Sequence, residues 1–222
     1  MAGQKAYNAQ QWQTAVTELR PLADAGDVRA MILLANMYEN GYGLVVSHTE
    51  AMRLYKRAAI SGNNPQAMDA VGAMYVDGRG VTPDLKTARA WFLRSASLGD
   101  QTGALFSAII LYEGNKNIFN PATPDLPEAY KWYRICAAET QKPAYAKACA
   151  RAAEGLAKKF LKKGEAARLD KEAASWKPVV PKDLGPAPPD PVPPSKAELR
   201  NRVLRTLKRQ DTPAVRPDPV LP

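Results

Sequence analysis

The sequence predicts an all-α protein, an α-solenoid of stacked helix–turn–helix units with a disordered proline-rich C-terminal tail. Three observations predict it. A set of small and aromatic residues recurs at a fixed spacing of 37. Apolar residues inside each period follow the 3.6-residue spacing of a helix face, and no strand alternation is visible. Paired glycines divide the helical segments where helix-to-helix turns need them.

The repeat comes first because it organises everything else. Ala30, Ala67 and Ala104 stand 37 apart, as do Tyr38, Tyr75 and Tyr112. Gly41 and Gly78, Gly43 and Gly80, Ala51 and Ala88, and Gly62 and Gly99 keep the same interval. The expected solenoid occupies residues 1–176: a half-repeat at 6–27, repeats at 28–64, 65–101 and 102–142, and capping helices at 143–176. The third repeat is longer because its loop, "GNKNIFNPATPD", is expanded.

Each unit opens with a helix running from the alanine to the tyrosine, as in "AMILLANMYENG". The second helix starts at Ser47, Asp84 or Asp125, whose side-chain oxygens can accept from the orphan N–H groups of a helix start. "SHTE" and "DLPE" add an acid three residues on, the pattern of a capping box. The second helices then carry one apolar or small face: Ala51, Leu54, Tyr55, Ala58, Ala59; Ala88, Trp91, Phe92, Ser95, Ala96; Ala129, Trp132, Tyr133, Cys136, Ala137. Upstream, Ala15, Leu19, Leu22 and Ala23, closed by Gly26, form a weaker copy.

The turn glycines suit positive φ at a helix end. The third unit has Asn115-x-Asn117 in their place, and asparagine is the next most tolerant residue there. A phosphate-binding loop would need a preceding strand and a following Lys-Ser/Thr pair, and neither is present.

The period resembles the Sel1-like repeat, a relative of the tetratricopeptide repeat. "AMDAVGAMYVDGRGVTPDLKTARAWFLRSASLG" is the best match, "AMILLANMYENGYGLVVSHTEAMRLYKRAAISG" the next, and "ALFSAIILYEGNKN" followed by "DLPEAYKWYRICAAET" a degraded third. The resemblance covers about residues 6–140. The family's close-packing glycine survives only as Gly72; Ala35 and Ile109 replace it, which predicts looser packing or tilt in the third unit. The resemblance implies a TPR-like superhelix whose first helices line a concave, partner-binding surface. Positions on that surface outside the repeat core are Met31, Asn36, Met37, Glu39, Met68, Asp69, Ala73, Met74, Ile110 and Glu113. Two readings of the methionines stand: an adaptable apolar strip for a partner, or, for Met37 and Met74 with Leu111, inter-repeat core.

Residues 143–176 remain helical by composition, with many Lys and Arg on a solvent face. Cys136 and Cys149 both fall in core columns, and they lie symmetrically about a turn near Gln141–Lys142. They would face each other across an antiparallel helix pair, within bridging range. Both a disulfide, which requires export, and two packed free thiols fit that placement. The only histidine, His48, is expected as a half-buried helix-start residue.

After Lys177 the composition changes. Residues 177–194, "KPVVPKDLGPAPPDPVPP", predict an extended, semi-rigid linker, with a weak PxxP pattern at Pro191 and Pro194. Residues 195–210 read as a basic amphipathic helix: Ser195 and Glu198 cap it, Leu199, Val203, Leu204 and Leu207 form a stripe, and Arg200, Arg202, Arg205, Lys208 and Arg209 carry charge. It is too short to be stable alone. It can fold back on the solenoid, dock on an acidic protein, or lie on an anionic membrane surface. Residues 211–222 are expected to be disordered.

The chain of 222 residues carries a net charge of +9. That charge permits attraction to anionic surfaces, and Lys158, Lys159, Lys162 and Lys163 with the tail helix would supply it. Nucleic acid is the weaker partner, because no aromatic residues are interleaved with the basic ones. No stretch reaches the apolar length of a membrane span. Nothing catalytic converges: no nucleophile elbow, no HExxH, no CxxC, and a single histidine. No cofactor or metal is expected. The sequence therefore predicts a non-enzymatic adaptor that binds a protein or peptide, with an anionic-surface binder as the alternative. "MAGQKAYNAQQW" has no signal-peptide core, so either the protein is cytoplasmic or a signal was removed. Exported chains of the resembling family often begin their mature part with G-x-x-A-Y, matched by Gly3, Ala6 and Tyr7, and the resemblance implies a periplasmic or secreted bacterial protein.

Overall fold

Ten α-helices follow one another in the computed structural model, which describes residues 1–113, 124–139, 141–178 and 186–188; among these there is no strand. They pair as α1 (Ala2–Asn8) with α2 (Trp12–Asp24), α3 (Val28–Asn40) with α4 (His48–Ser61), α5 (Pro65–Asp77) with α6 (Leu85–Ser97), and α7 (Gln101–Glu113) with α8 (Leu126–Ala138). The last two are α9 (Pro143–Phe160) and α10 (Glu165–Ser175). Each helix packs on its successor up to α9, whereas α10 turns back onto α8 and closes the array.

Local chemistry starts each helix. Ser47, Asp84 and Asp125 accept from the N–H groups of Glu50, Lys86 and Glu128. The capping boxes are only half formed. The N–H of each cap residue is already taken by a carbonyl of the preceding helix: Ser47 by Tyr38, Asp84 by Tyr75 and Asp125 by Leu111, at 2.9–3.0 Å. Glu50 instead pairs with Arg53 at 2.9 Å. Glu128 accepts from Lys131 and from the Trp132 indole N–H. The first helices have caps that the sequence reading missed: Asp27 and Asn64 accept from Ala30 and Ala67, and Asp100 accepts from Thr102 and Gly103.

The glycine turns end α3 and α5. Gly41 and Gly78 hold left-handed φ of 75° and 72°, returning their N–H groups to the carbonyls of Met37 and Met74. The second glycine of each pair has another constraint. A Cβ on Gly80 would stand 2.6 Å from the His48 carbonyl carbon, and one on Gly43 2.7 Å from Trp12 Cβ. Each turn is thus seated on the start of the second helix of the preceding unit. His48 itself is half-buried there.

The second-helix faces are buried as the periodicity requires, with Ala137 and, in the upstream copy, Leu22 partly covered. Trp91, Tyr75 and Phe92 are the largest fully buried side chains. Each contributes about 2–3 kcal/mol by removal of apolar area from water. A Cβ on Gly72 would lie 2.9 Å from the Phe92 ring, so the first helix needs glycine where the facing aromatic is closest.

The four methionines are a correction to the partner-strip reading. Met31, Met37, Met68 and Met74 are fully buried and belong to the core cluster that runs from α1 to α6. Their flexible thioethers fill the space between helix pairs, and they present no surface to a partner. Leu111 is buried in the second cluster, which runs from the end of α6 to α10.

Cys136 and Cys149 form a disulfide, with Cα atoms 5.9 Å apart. Gln101, buried at the start of α7, clamps the neighbouring turn: its Nε2 donates to the carbonyls of Cys136 and Glu139, and its Oε1 accepts from the Lys142 N–H at 2.7 Å.

The described residues 177–178 and 186–188 depart from a free spacer. Pro178 lies against Gly99, Arg94 donates to the Pro186 carbonyl, and Ala187 packs on the first core cluster. The Asn115-x-Asn117 turn, the PxxP pattern, residues 195–210 with Leu199, Arg200, Arg202, Val203, Arg205 and Leu207, and the 211–222 tail lie outside the described residues.

Candidate functional site

A cavity of about 430 Å³ opens on the face made by the first helices. Gln4 of α1 contributes one wall. Arg29, Ile32 and Leu33 come from the first two turns of α3, and Asn64, Pro65 and Gln66 from the start of α5. Asp100, at the start of α7, completes the lining. Four successive first helices therefore converge here by their N-terminal ends. The sequence dictates this convergence, because the caps Asp27, Asn64 and Asp100 recur at nearly one repeat spacing and line up the helix starts.

The lining combines three chemistries. Ile32 and Leu33 are half-buried and pack on the core, giving an apolar floor. Arg29 supplies a cation and Asp100 an anion, while Gln4, Asn64 and Gln66 supply amides that can both donate and accept. Exposed helix N-termini add partial positive charge at this end.

Asp69, one turn along α5 from Pro65, is the unusual group beside this rim. Burial pushes its carboxyl up to about 8, and the nearby Asp100 carboxylate pushes the same way. Ser95 and the Lys142 ammonium pull against them. The Oδ1 of Asp69 is buried with no hydrogen-bond partner. At neutral pH Asp69 therefore favours its neutral form and adds no full negative charge to the rim.

The other expected partner-binding residues sit elsewhere. Asn36 accepts from the Tyr7 hydroxyl at 2.5 Å. Glu39 accepts from the Tyr55 hydroxyl at 3.0 Å and forms an ion pair with Arg79 of the next unit. Burial drives the Tyr55 phenol up to about 12, against the opposing hydrogen bond to Asn36. These polar groups tie units together. Ala73 and Ile110 are half-buried against the core. Glu113 is exposed at the end of α7, where, after burial, its charge helps raise the Tyr133 phenol to about 12. None of the ten expected residues lines the cavity, and Asp69 lies one helical turn from its lining residue Pro65. Arg29, Ile32, Leu33 and Asp100 were missed, although the periodic caps pointed to this end of the helices.

Among the described residues, no group of three His, Cys, Asp or Glu side chains could hold a metal ion, and no helix is long and apolar enough to cross a membrane. Lys158 and Lys159 are exposed in the last turn of α9, where cations complement the helix dipole.

The Sel1 repeat family model matches residues 28–63, 65–100 and 108–139. The solved structure of a Sel1 repeat protein from Oxalobacter formigenes is 30% identical, with a TM-score of 0.51, and the match covers 61% of this chain and 97% of that one. The chain belongs to the Sel1-repeat family. A second solved structure is c5321, a protective antigen of uropathogenic Escherichia coli with an SLR fold. It shares 18% identity at a TM-score of 0.60 over 93% of this chain, and it supports the fold alone. The chain spans 38% of the length of that antigen. No curated protein matches the chain. Sel1 repeats generally mediate protein–protein interaction and are typically non-catalytic scaffolds. The first two matched units coincide with the pairs α3–α4 and α5–α6, and the third begins within α7 and covers α8, so the cavity lies where the half-repeat meets the first full units.

Proposed function

We propose that this protein is a non-enzymatic adaptor that binds an extended peptide segment of a protein partner in the first-helix groove. The observation that carries this reading is the groove itself: an apolar floor at Ile32 and Leu33 between a cation, Arg29, and an anion, Asp100. An apolar side chain would seat on the floor. The polar rim would take the peptide backbone and flanking charges. Because the helices are already in place, little ordering cost falls on the solenoid.

The test is selection of displayed peptides on the immobilised full chain, followed by affinity measurement on variants. Ile32→Arg and Arg29→Glu should each weaken the selected peptide at least about tenfold, near 1.4 kcal/mol. Glu113→Gln, away from the cavity, should leave it unchanged. Equal affinity for all three variants would remove the groove from the function.

The proposed compartment is periplasmic or extracellular. The Cys136–Cys149 disulfide supports it, because such bridges persist in oxidising compartments. Fractionation of the native host with mass measurement of the intact bridge tests it. A reduced, cytoplasmic protein would refute it.

A further inference from the structure

The proline-rich segment after α10 has two separate points of attachment to the solenoid, neither of which a spacer requires. Pro178 Cγ lies 3.1 Å from where a Cβ on Gly99 would stand, so it is seated against the turn after α6. Further on, the Arg94 guanidinium donates to the Pro186 carbonyl at 2.7 Å. The same guanidinium reaches the Asn63 side-chain oxygen at 3.5 Å. Asn63 holds a φ of 43° in the turn between α4 and α5, which directs its side chain to this spot. Ala187, half-buried, packs on the core cluster beside them.

These contacts suit the chemistry of a proline-rich chain. Prolines lack the backbone N–H, so their carbonyls are the available backbone polar groups, and a guanidinium offers several donors to such acceptors. A polyproline segment is already extended and loses little freedom on docking. Alanine between Pro186 and Pro188 is small enough to enter a shallow seat.

We propose that the solenoid carries a docking site for a proline-rich segment, built from Asn63, Arg94 and Gly99, and that its resident occupant is this chain's own proline-rich segment, seated through Pro178, Pro186 and Ala187. Asn63 and Gly99 directly precede Asn64 and Asp100 of the groove, so the docking site borders the groove's rim. The site is separate from the groove and stands without the groove reading. Its role is to pin the start of the tail to the second full repeat.

The test uses the full chain and a fluorescent peptide of residues 177–190, read by fluorescence anisotropy. A tethered segment competes at an effective concentration of about millimolar. The peptide should therefore bind a detached variant, carrying Pro186→Gly, Ala187→Asp and Pro188→Gly, about tenfold more tightly than the wild type. Adding Arg94→Ala to the detached variant should abolish that binding, and Asn63→Ala should weaken it, with helix content by circular dichroism unchanged. Ile32→Arg in the groove should leave it intact. Equal binding to wild-type and detached chains, or binding that survives Arg94→Ala, would overturn the proposal. Loss with Ile32→Arg would move the peptide to the groove and equally overturn the site. Concentration-dependent dimerisation of the wild type, lost in the detached variant, would make the occupant a second copy and refute the intramolecular strap.

Discussion

Asp69 makes a quantitative prediction, because its proton affinity differs between the folded and unfolded chain. Unfolded, the carboxyl titrates near 3.9. Folded, burial and then the Asp100 carboxylate raise it to about 8. Between those values the native state holds one proton more than the unfolded state. The derivative of unfolding free energy with pH is then negative, about −1.4 kcal/mol per unit. The contribution is fully present below the unfolded value and is lost as pH rises through the folded one. From about pH 5 to about pH 7, this group alone should remove roughly 3 kcal/mol of stability. Asp69→Asn keeps the shape and a donor but cannot ionise. The stability gap between Asp69→Asn and wild type should therefore widen by that amount across the window, in favour of the variant. Urea denaturation followed by tryptophan fluorescence at several pH values measures it, with the gap isolating Asp69 from every other titrating group. A gap that stays constant within about 0.5 kcal/mol, smaller than half of one pH unit's worth, would show that Asp69 is ionised in the fold. The charge assigned to the groove rim would then be wrong.

Replacing Cys136 and Cys149 by serine should lower stability by about 3 kcal/mol, the constraint expected for a loop of 13 residues, and thermal melts with and without reductant should converge for that variant. Gly80→Ala and Gly164→Ala both place a methyl at positive φ, but only Gly80 faces backbone within 3 Å. The first should cost about 2–3 kcal/mol and the second about 1, and equal costs by denaturant titration would refute the seating of the turn on His48. Gln101→Ala should cost about 3 kcal/mol, because two carbonyls and the Lys142 N–H lose their partner, read as a fall in denaturation midpoint at unchanged slope.

The solenoid was legible because its determinants are local and periodic. Ala51, Leu54, Tyr55, Ala58 and Ala59 announce a helix face whatever they pack against, and the 37-residue echo says that they pack against copies of themselves. Ser47, Asp84 and Asp125 could be read as caps because the oxygen and the N–H it serves are two or three residues apart. The reciprocal half of the capping box could not. It depended on Tyr38, Tyr75 and Leu111 offering carbonyls from another helix. The methionines illustrate the same limit. Met37 and Met74 sit on the first helices, but which side of a helix faces inward in a two-layer array depends on how neighbouring units stack. The groove was missed for a related reason: Arg29, Gln66 and Asp100 stand at the starts of three different first helices, α3, α5 and α7, and no spacing within one helix brings them together. The contact of Arg94 with Pro186, separated by 92 residues, left no periodic trace at all.

The seating of Gly43 on Trp12 and of Gly80 on His48 has a consequence for how such a gene can change length. Each turn docks on a surface that the previous unit supplies at the same place. Removing one whole period of 37 residues, from 44 to 80, would join Gly43 to Val81, and the surviving turn glycine would still find Trp12 beneath it. Removing a few residues more or fewer would leave the glycine over a side chain instead of its seat. In-frame duplication and loss should therefore be tolerated in whole-period steps. The array is quantised in length, and the glycine pair sets the quantum.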